Sequence, residues 1–208
     1  LVDTLWSTGG NWDPQGPELD AQGRLLVFRG AGGASQADAG NYTNVGGLLF
    51  EATTNSYTLS GGDLAFDDEM AAISNQSANN HTIQNNLTAP DSGLDIFADT
   101  GNLNLTGDID SGNTGLIVRG DSDTTISGNI SGNGAITKRN DGTLNLTGSN
   151  TFAGDLSIED GTVSVSGGSA IPDSADVDLS NTAGAVLDLE ADETIAKLTG
   201  GGANGGNV

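Results

Sequence analysis

Short apolar alternations recur along the whole chain, separated by polar turn formers. In order they are "LLVF" at 25–28, "LLF" at 48–50, "YTLSG" at 57–61, "LAF" at 64–66, "HTI" at 81–83 and "LDIFA" at 94–98. Then come "LNLTGDI" at 103–109, "LIV" at 116–118, "TTISGNI" at 124–130, "AIT" at 135–137, "TLNLTG" at 143–148, "LSI" at 156–158 and "VSV" at 163–165. "VDL" at 177–179, "VLDL" at 186–189 and "IAKL" at 195–198 close the series. A period of two is strand spacing, and the Gly, Asn, Asp and Ser between the runs are turn residues. Runs that begin roughly 7 to 12 residues apart suit a sandwich, a barrel or a solenoid. Because the runs are short and alike, and few long complementary pairs exist for hairpins, the pattern predicts a solenoid.

In a parallel β-helix each coil contributes about three short strands, and the next coil stacks about 4.8 Å away. Roughly 20 residues per coil gives about ten coils and a rod on the order of 45 to 50 Å long. The segment "LNLTG" occurs at 103–107 and again at 144–148, forty-one residues on, which is about two coils. Leu103 and Leu105 are therefore expected to point inward on the same face as Leu144 and Leu146, with Asn104 and Asn145 outward. Ile158, Val163 and Val165 join the expected core, and Ser157 and Ser164 the expected exposed set.

Composition agrees with an all-β reading. There are 33 glycines in 208 residues, and Asn, Thr, Ser and Asp fill most polar positions, which disfavours helix interiors. Six basic residues against 28 acidic ones leave a net charge of −22, which repels nucleic acid and anionic lipid. The absence of cysteine rules out disulfides and thiolate metal sites, so stability must come from stacking or a large core. No apolar run is long enough to insert into a membrane as a helix. The chain opens on Leu1 with no charged-then-apolar leader, and reads as a mature or excised piece of something longer.

Close carboxylates are plentiful: Asp67, Asp68 and Glu69; Asp108 and Asp110; Asp121 and Asp123; Asp188 and Glu190. Glycoside hydrolysis needs two carboxylates across one sugar bond, but 28 acids in this length produce close pairs by chance. A uronate-binding groove would also want basic residues, and Arg24, Arg29, Arg119, Lys138, Arg139 and Lys197 are scattered. Calcium prefers oxygen ligands, and "GDSDTT" at 120–125 comes nearest to a calcium loop, making Asp121 and Asp123 the weak metal candidates. His81 is the lone histidine and reads as a strand or turn residue. Trp6 and Trp12 read as a cover for the first coil, with a sugar platform as the alternative. Glycosylation sequons stand at Asn41, Asn75, Asn80, Asn86, Asn104, Asn129 and Asn145, as an Asn- and Thr-rich composition produces.

The stretch "GNGAITKRNDGTLNLTGSNTFAGDLSIEDGTVSVSGGSAIPDSADVDL" at 132–179 closely resembles the autotransporter-associated β-strand repeat, also called the passenger-associated transport repeat. Gly134, Lys138, Gly142, Thr143, Leu144, Leu146, Gly148, Asn150, Thr151, Phe152, Gly154, Ile158, Gly161, Thr162 and Val163 fall on its pattern. Phe152 stands where Tyr is usual, and Asp155 where Gly is usual. "LWSTGGNWDPQGPELDAQGRLLVF" resembles the Trp-rich opening of such passengers, and "VGGLLFEATTNSYTLSGGDLAF" the coils that follow it. The resemblance implies a right-handed parallel β-helix in a very large exported protein, at the bacterial cell surface or outside the cell. The expected organisation is a capping first coil over 1–30 and coils over 31–131 with a loop excursion at 31–47. Repeat coils over 132–208 follow, with the chain continuing beyond.

The function expected is that of a non-enzymatic exported segment, a stalk for surface display or fibre formation. An adhesin that binds a glycan or a partner protein is the first alternative, and a polysaccharide lyase or hydrolase the second. No cofactor is expected beyond calcium at Asp121 and Asp123. The apolar set Val186, Leu187, Leu189, Ile195 and Leu198 is expected to form an open end suited to end-to-end self-association.

Overall fold

The computed structural model describes residues 25–28, 33–36, 42–52, 54–67 and 71–208. Trp6, Trp12, Arg24, Arg29, Asn41, Asp68 and Glu69 lie outside the described residues. Among those described there is no helix, and short strands assemble into three parallel sheets.

Nine strands form the first sheet: Leu25–Phe28, Gly47–Phe50, Ala72–Asn75, Leu94–Ala98, Gly115–Arg119, Ala135–Lys138, Leu156–Ile158, Asp176–Leu179 and Lys197–Gly200. Eight form the second: Gly33–Gln36, Tyr57–Ser60, His81–Ile83, Leu103–Leu105, Thr124–Ile126, Thr143–Leu146, Thr162–Val165 and Val186–Leu189. Five form the third: Tyr42–Val45, Leu64–Phe66, Leu87–Thr88, Ile109–Asp110 and Ile130–Ser131. As far as Ser131 one circuit visits each sheet once, later circuits visit the first two sheets, and each strand pairs with the equivalent strand of the next circuit. The chain is thus a parallel β-helix, with nine levels in its longest sheet where length alone suggested about ten coils.

Alternation fixes which side chains face inward. Leu103, Thr124 and Leu144 are register partners on successive levels, and so are Leu105, Ile126 and Leu146. The two copies of "LNLTG" are therefore two circuits apart on one sheet, and Leu103, Leu105, Leu144 and Leu146 are all buried. In the first sheet, Leu26, Leu48, Ile73, Ile96, Val118, Lys138, Ile158 and Leu179 make one inward column. Seven of these eight are aliphatic, and Lys138 interrupts the column.

The glycine of "LTG" has a steric cause. Gly107, Gly128 and Gly148 stack where the chain leaves the second sheet. A Cβ on Gly128 would sit 1.9 Å from the carbonyl oxygen of Gly107, and one on Gly148 would sit 2.3 Å from that of Gly128. Backbone lies against backbone at this corner, so there is no room for a side chain.

Two expectations need correction. Within 31–47, the span of the expected loop excursion, the described residues 33–36 and 42–45 are rungs of the stack. Gly33–Gln36 pairs with Tyr57–Ser60, and Tyr42–Val45 pairs with Leu64–Phe66. Pairing to the next level uses main-chain groups, so Gly, Ala and Ser can form a strand without large apolar side chains. Ser164 is buried, and Asn145 and Ser157 are half-buried rather than exposed. An outward side chain inside a parallel stack has neighbours about 4.8 Å above and below, and they cover it.

The core changes character along the axis. At the first levels it is aromatic: Phe28 stacks on Phe50 at 4.9 Å, and Phe50 stacks on His81 at 4.0 Å with 12° between the planes. From Ile83 onward it is largely Leu, Ile and Val.

Candidate functional surface

The polar residues at the turns are organised by the stack. Where the first sheet passes to the second, Asn80 Oδ1 accepts the N–H of Asn102 at 3.0 Å. Asn102 Oδ1 accepts that of Asp123 at 3.1 Å, and Asp123 Oδ1 that of Thr143 at 2.9 Å. At the next corner Asn86 serves Asp108, Asp108 serves Asn129, and Asn129 serves Ser149, at 3.0, 2.9 and 2.9 Å. At the third, Asn113 Nδ2 donates to Asp91 Oδ1 at 2.8 Å, and Asn133 Nδ2 donates to Asn113 Oδ1 at 3.2 Å. The first two corners leave main-chain donors without a sheet partner, and a short amide or carboxylate one level away supplies the acceptor, whereas at the third corner the side chains bond to one another. In these three ladders no two acids stand on adjacent levels, for an electrostatic reason. Two carboxylates about 4.8 Å apart repel by about 1 kcal/mol even in water, and Asp108 lies between Asn86 and Asn129.

This arrangement accounts for several of the acids singled out from the sequence. Asp108 Oδ1 holds the N–H of Asn129, and Asp110 Oδ1 holds that of Gly112 at 3.0 Å. Of the calcium candidates, Asp121 is exposed and Asp123 is a half-buried ladder member. Among the described residues no three metal-binding side chains converge. Asn75, the sequon residue at the end of its strand, is buried. Its Nδ2 donates to the carbonyls of Asn79 and Gly101 at 3.0 and 2.8 Å, which leaves no space for a glycan.

Three buried polar residues carry more than the sequence reading gave them. Lys138 stands in the inward phase after Ile136, and the alternation itself places it inside. Its Nζ donates to the carbonyls of Arg139 at 2.8 Å, Asn140 at 2.5 Å and Asp160 at 3.3 Å. Burial pushes the ammonium down to about 8, against the pull of Asp160, Asp141, Asp123 and Asp121. Lys138 thus clamps the turn that leads into Thr143–Leu146. Gly161 closes over it, since a Cβ there would meet the Asn140 oxygen at 2.1 Å and Lys138 Nζ at 2.5 Å.

Asn150 is the second. The third sheet ends at Ser131, yet the stack continues there. Asn150 Oδ1 accepts the N–H of Ile130, and its Nδ2 donates to the carbonyl of Ala170, both at 2.7 Å. One level on, Glu193 Oε1 accepts the N–H of Ile171 at 2.8 Å. Side chains therefore add to the few main-chain bonds that continue on this face, such as Thr151 N–H to the Ile130 carbonyl, while Phe152 and Ile171 fill the core beneath.

His81 is the third. It is buried, and its Nδ1 accepts the N–H of Tyr57 at 3.0 Å. Loss of hydration pushes its pKa down to about 4. Alternation again gives the signal, because His81 shares the inward phase of Ile83.

Two outer faces differ in chemistry. On the first sheet Arg119 forms a bidentate pair with Asp95, with a closest approach of 2.6 Å, and lies 4.5 Å over the Phe97 ring. Beside this pair runs a groove of about 490 Å³ lined by Ala72, Gly93, Gly115, Ile117 and Thr137 among others. The second sheet presents a column of Thr58, Thr82, Asn104, Thr125, Asn145 and Ser164 in register.

Residues 136–165 match the family model of the passenger-associated-transport-repeat. Over 100 residues the chain is 45% identical to the adhesin BmaC autotransporter of Brucella suis biovar 1 (strain 1330), a match covering 47% of this chain and 3% of that protein. No solved structure matches. The matched repeat begins two residues before the Lys138 clamp, contains Asn150 and Phe152, and ends on Val165 of the second sheet. The motif therefore encodes one and a half circuits of the stack, and the chain is a parallel β-helix whose residues 136–165 match the passenger-associated-transport-repeat.

Proposed function

We propose that this segment is a non-enzymatic stalk within an exported, adhesin-like passenger at the bacterial surface. It spaces and presents other parts of a much longer protein. The observation that carries this reading is the use of turn carboxylates and amides as acceptors for the next level's main chain, as with Asp108 for Asn129 and Asp123 for Thr143. Asp108 and Asp123, each a member of a close acid pair in the sequence, bridge adjacent levels of the rod. The relative named as an adhesin supports export and surface display for this chain. On the last level Leu189 and Leu198 are exposed, and the proposal includes contact of that level with a further coil or a second copy.

The test pairs shape with turnover. Small-angle scattering of the purified chain is expected to show a rod of constant cross-section. Incubation with acidic and neutral polysaccharides, with and without calcium, is expected to release no new reducing ends. Saturable turnover that is lost on replacing Asp108 or Asp123 by Asn would overturn the stalk reading in favour of a hydrolase or lyase.

A further inference from the structure

From Thr58 to Ser166 the two outward columns of the second sheet are uncharged, on a chain whose net charge is −22. Its central column is Thr58, Thr82, Asn104, Thr125, Asn145 and Ser164, each the register partner of the next. Two residues further along, Ser60, Gln84, Thr106, Ser127, Thr147 and Ser166 form a second column, of which Gln84, Thr106, Ser127 and Thr147 are exposed. The backbone N–H groups of Gln84, Thr106, Ser127, Thr147 and Ser166 each bond to the level before, which keeps this second column aligned. Twelve side chains on six levels thus carry only hydroxyls and amides, and the first acids in these columns are Asp188 and Glu190 on the seventh level. The lattice spacing is about 4.8 Å along the axis and about 7 Å across it.

We propose that this face binds a neutral, extended polysaccharide lying along the solenoid axis. Hydroxyls and carboxamides both donate and accept, as sugar hydroxyls do, so a polyhydroxyl chain can pair with the lattice at successive levels. Charge selects the neutral class. Asp123 flanks the face on one side and Asp108 on the other, and both sit in the corner ladders. A uronate or sulfated chain would lie between two acidic borders. Area excludes the competing occupant. Six levels by two columns cover roughly 400 Å², well under the roughly 800 Å² per partner that a stable protein–protein contact needs. A second copy is therefore not the occupant this face fits. The face has no aromatic platform, so each sugar contributes little and the affinity grows with the number of levels engaged. This inference goes beyond the stalk reading, which stands whether or not the face holds a glycan.

Affinity electrophoresis of the 208-residue chain in gels containing hydroxyethyl-cellulose, dextran or polygalacturonate tests it. Retardation is expected in at least one neutral polymer and not in polygalacturonate, and added salt should leave it unchanged. Thr125→Glu and Thr147→Glu each place a charge on the lattice and should weaken retardation at least about tenfold. Thr147 is exposed, so its variant keeps the test valid if Thr125→Glu melts early. Ser157→Glu, on the outer side of the first sheet, should behave as the wild type. Three results would overturn the proposal: no retardation in either neutral polymer, equal loss in Ser157→Glu, or a concentration-dependent dimer that Thr147→Glu abolishes.

Discussion

The side-chain oxygen of Asn150 accepts the main-chain N–H of Ile130 at 2.7 Å, where a strand carbonyl would otherwise stand. The same carboxamide donates to Ala170 O on the far side, so one residue links three levels of the stack. Both partners are buried, so truncation leaves a donor and an acceptor without hydration. Each such orphan costs about 1 to 3 kcal/mol. Asn150→Ala should therefore destabilise the fold by about 2 to 5 kcal/mol in urea titration. Asn150→Asp keeps the acceptor for Ile130 but turns a carboxylate toward the Ala170 carbonyl, and should recover little. Wild-type stability in Asn150→Ala would show that this face needs no side-chain bridge.

The inward set of the second sheet predicts a sharp contrast between neighbours. Leu146 is fully buried between Ile126 and Val165, whereas Asn145 faces outward with only a 3.5 Å contact to Thr125 Oγ1. Leu146→Ala should cost about 2 to 5 kcal/mol, because close-packed neighbours on the levels above and below relax only partly into the cavity. Asn145→Ala exchanges a half-buried amide on an outer face and should change stability by less than about 0.5 kcal/mol. Equal midpoints for the two variants would contradict the register.

These residues also show what the sequence could reveal. Period-two runs located most of the strands, and the forty-one-residue echo of "LNLTG" measured two circuits, because both follow from alternation and a fixed coil length. The rungs at Gly33–Gln36, Tyr42–Val45, Ala72–Asn75 and Leu87–Thr88 escaped that logic, since each offers too few alternating apolar residues to stand out in the sequence. Lys138, His81 and Asn150 were hidden differently. Alternation places the first two inside, but residue type argued for solvent or turn, and their partners are main-chain atoms 20 or more positions away or in the adjacent turn. The uncharged face was invisible as a surface because its members, from Thr58 to Ser166, join only when the circuits are in register.

Lys138 gives a test of the turn clamp. Replacing a buried charge by an apolar side chain is neutral in many proteins, because desolvation offsets the attraction. Here the acceptors are the main-chain carbonyls of Arg139, Asn140 and Asp160, which stay in place when the lysine is removed. Lys138→Met should therefore destabilise by about 3 kcal/mol, the cost of leaving buried acceptors without their charged donor. Lys138→Arg should fail to rescue it, since Gly161 already closes on Nζ and leaves no room for a guanidinium. Lys197→Met removes an exposed lysine and should be close to silent. If Lys138→Met and Lys197→Met unfold at the same urea concentration, the clamp contributes nothing net.

His81 makes stability depend on acid. Its ring lies on Phe50 at 4.0 Å, and its Nδ1 accepts the Tyr57 N–H, an arrangement open only to the neutral imidazole. A protonated ring would turn a second donor toward that N–H and carry a charge into the aromatic core. The folded pKa is pushed down to about 4, below the ordinary value of 6.5. Between these values the unfolded chain binds a proton that the folded chain refuses, so stability falls as pH drops from 6.5 toward 4. Above pH 6.5 both states are neutral and the histidine adds no pH dependence. The full loss is on the order of 3 kcal/mol. Acids elsewhere titrate in part of the same window, so the measurement is a difference. The unfolding free energy of the wild type minus that of His81→Leu, from urea titration, should fall by this amount as the pH drops from 6.5 toward 4, because the variant has no proton to refuse. Parallel pH profiles for the two proteins would show that the imidazole is already protonated, or already solvated, in the folded state.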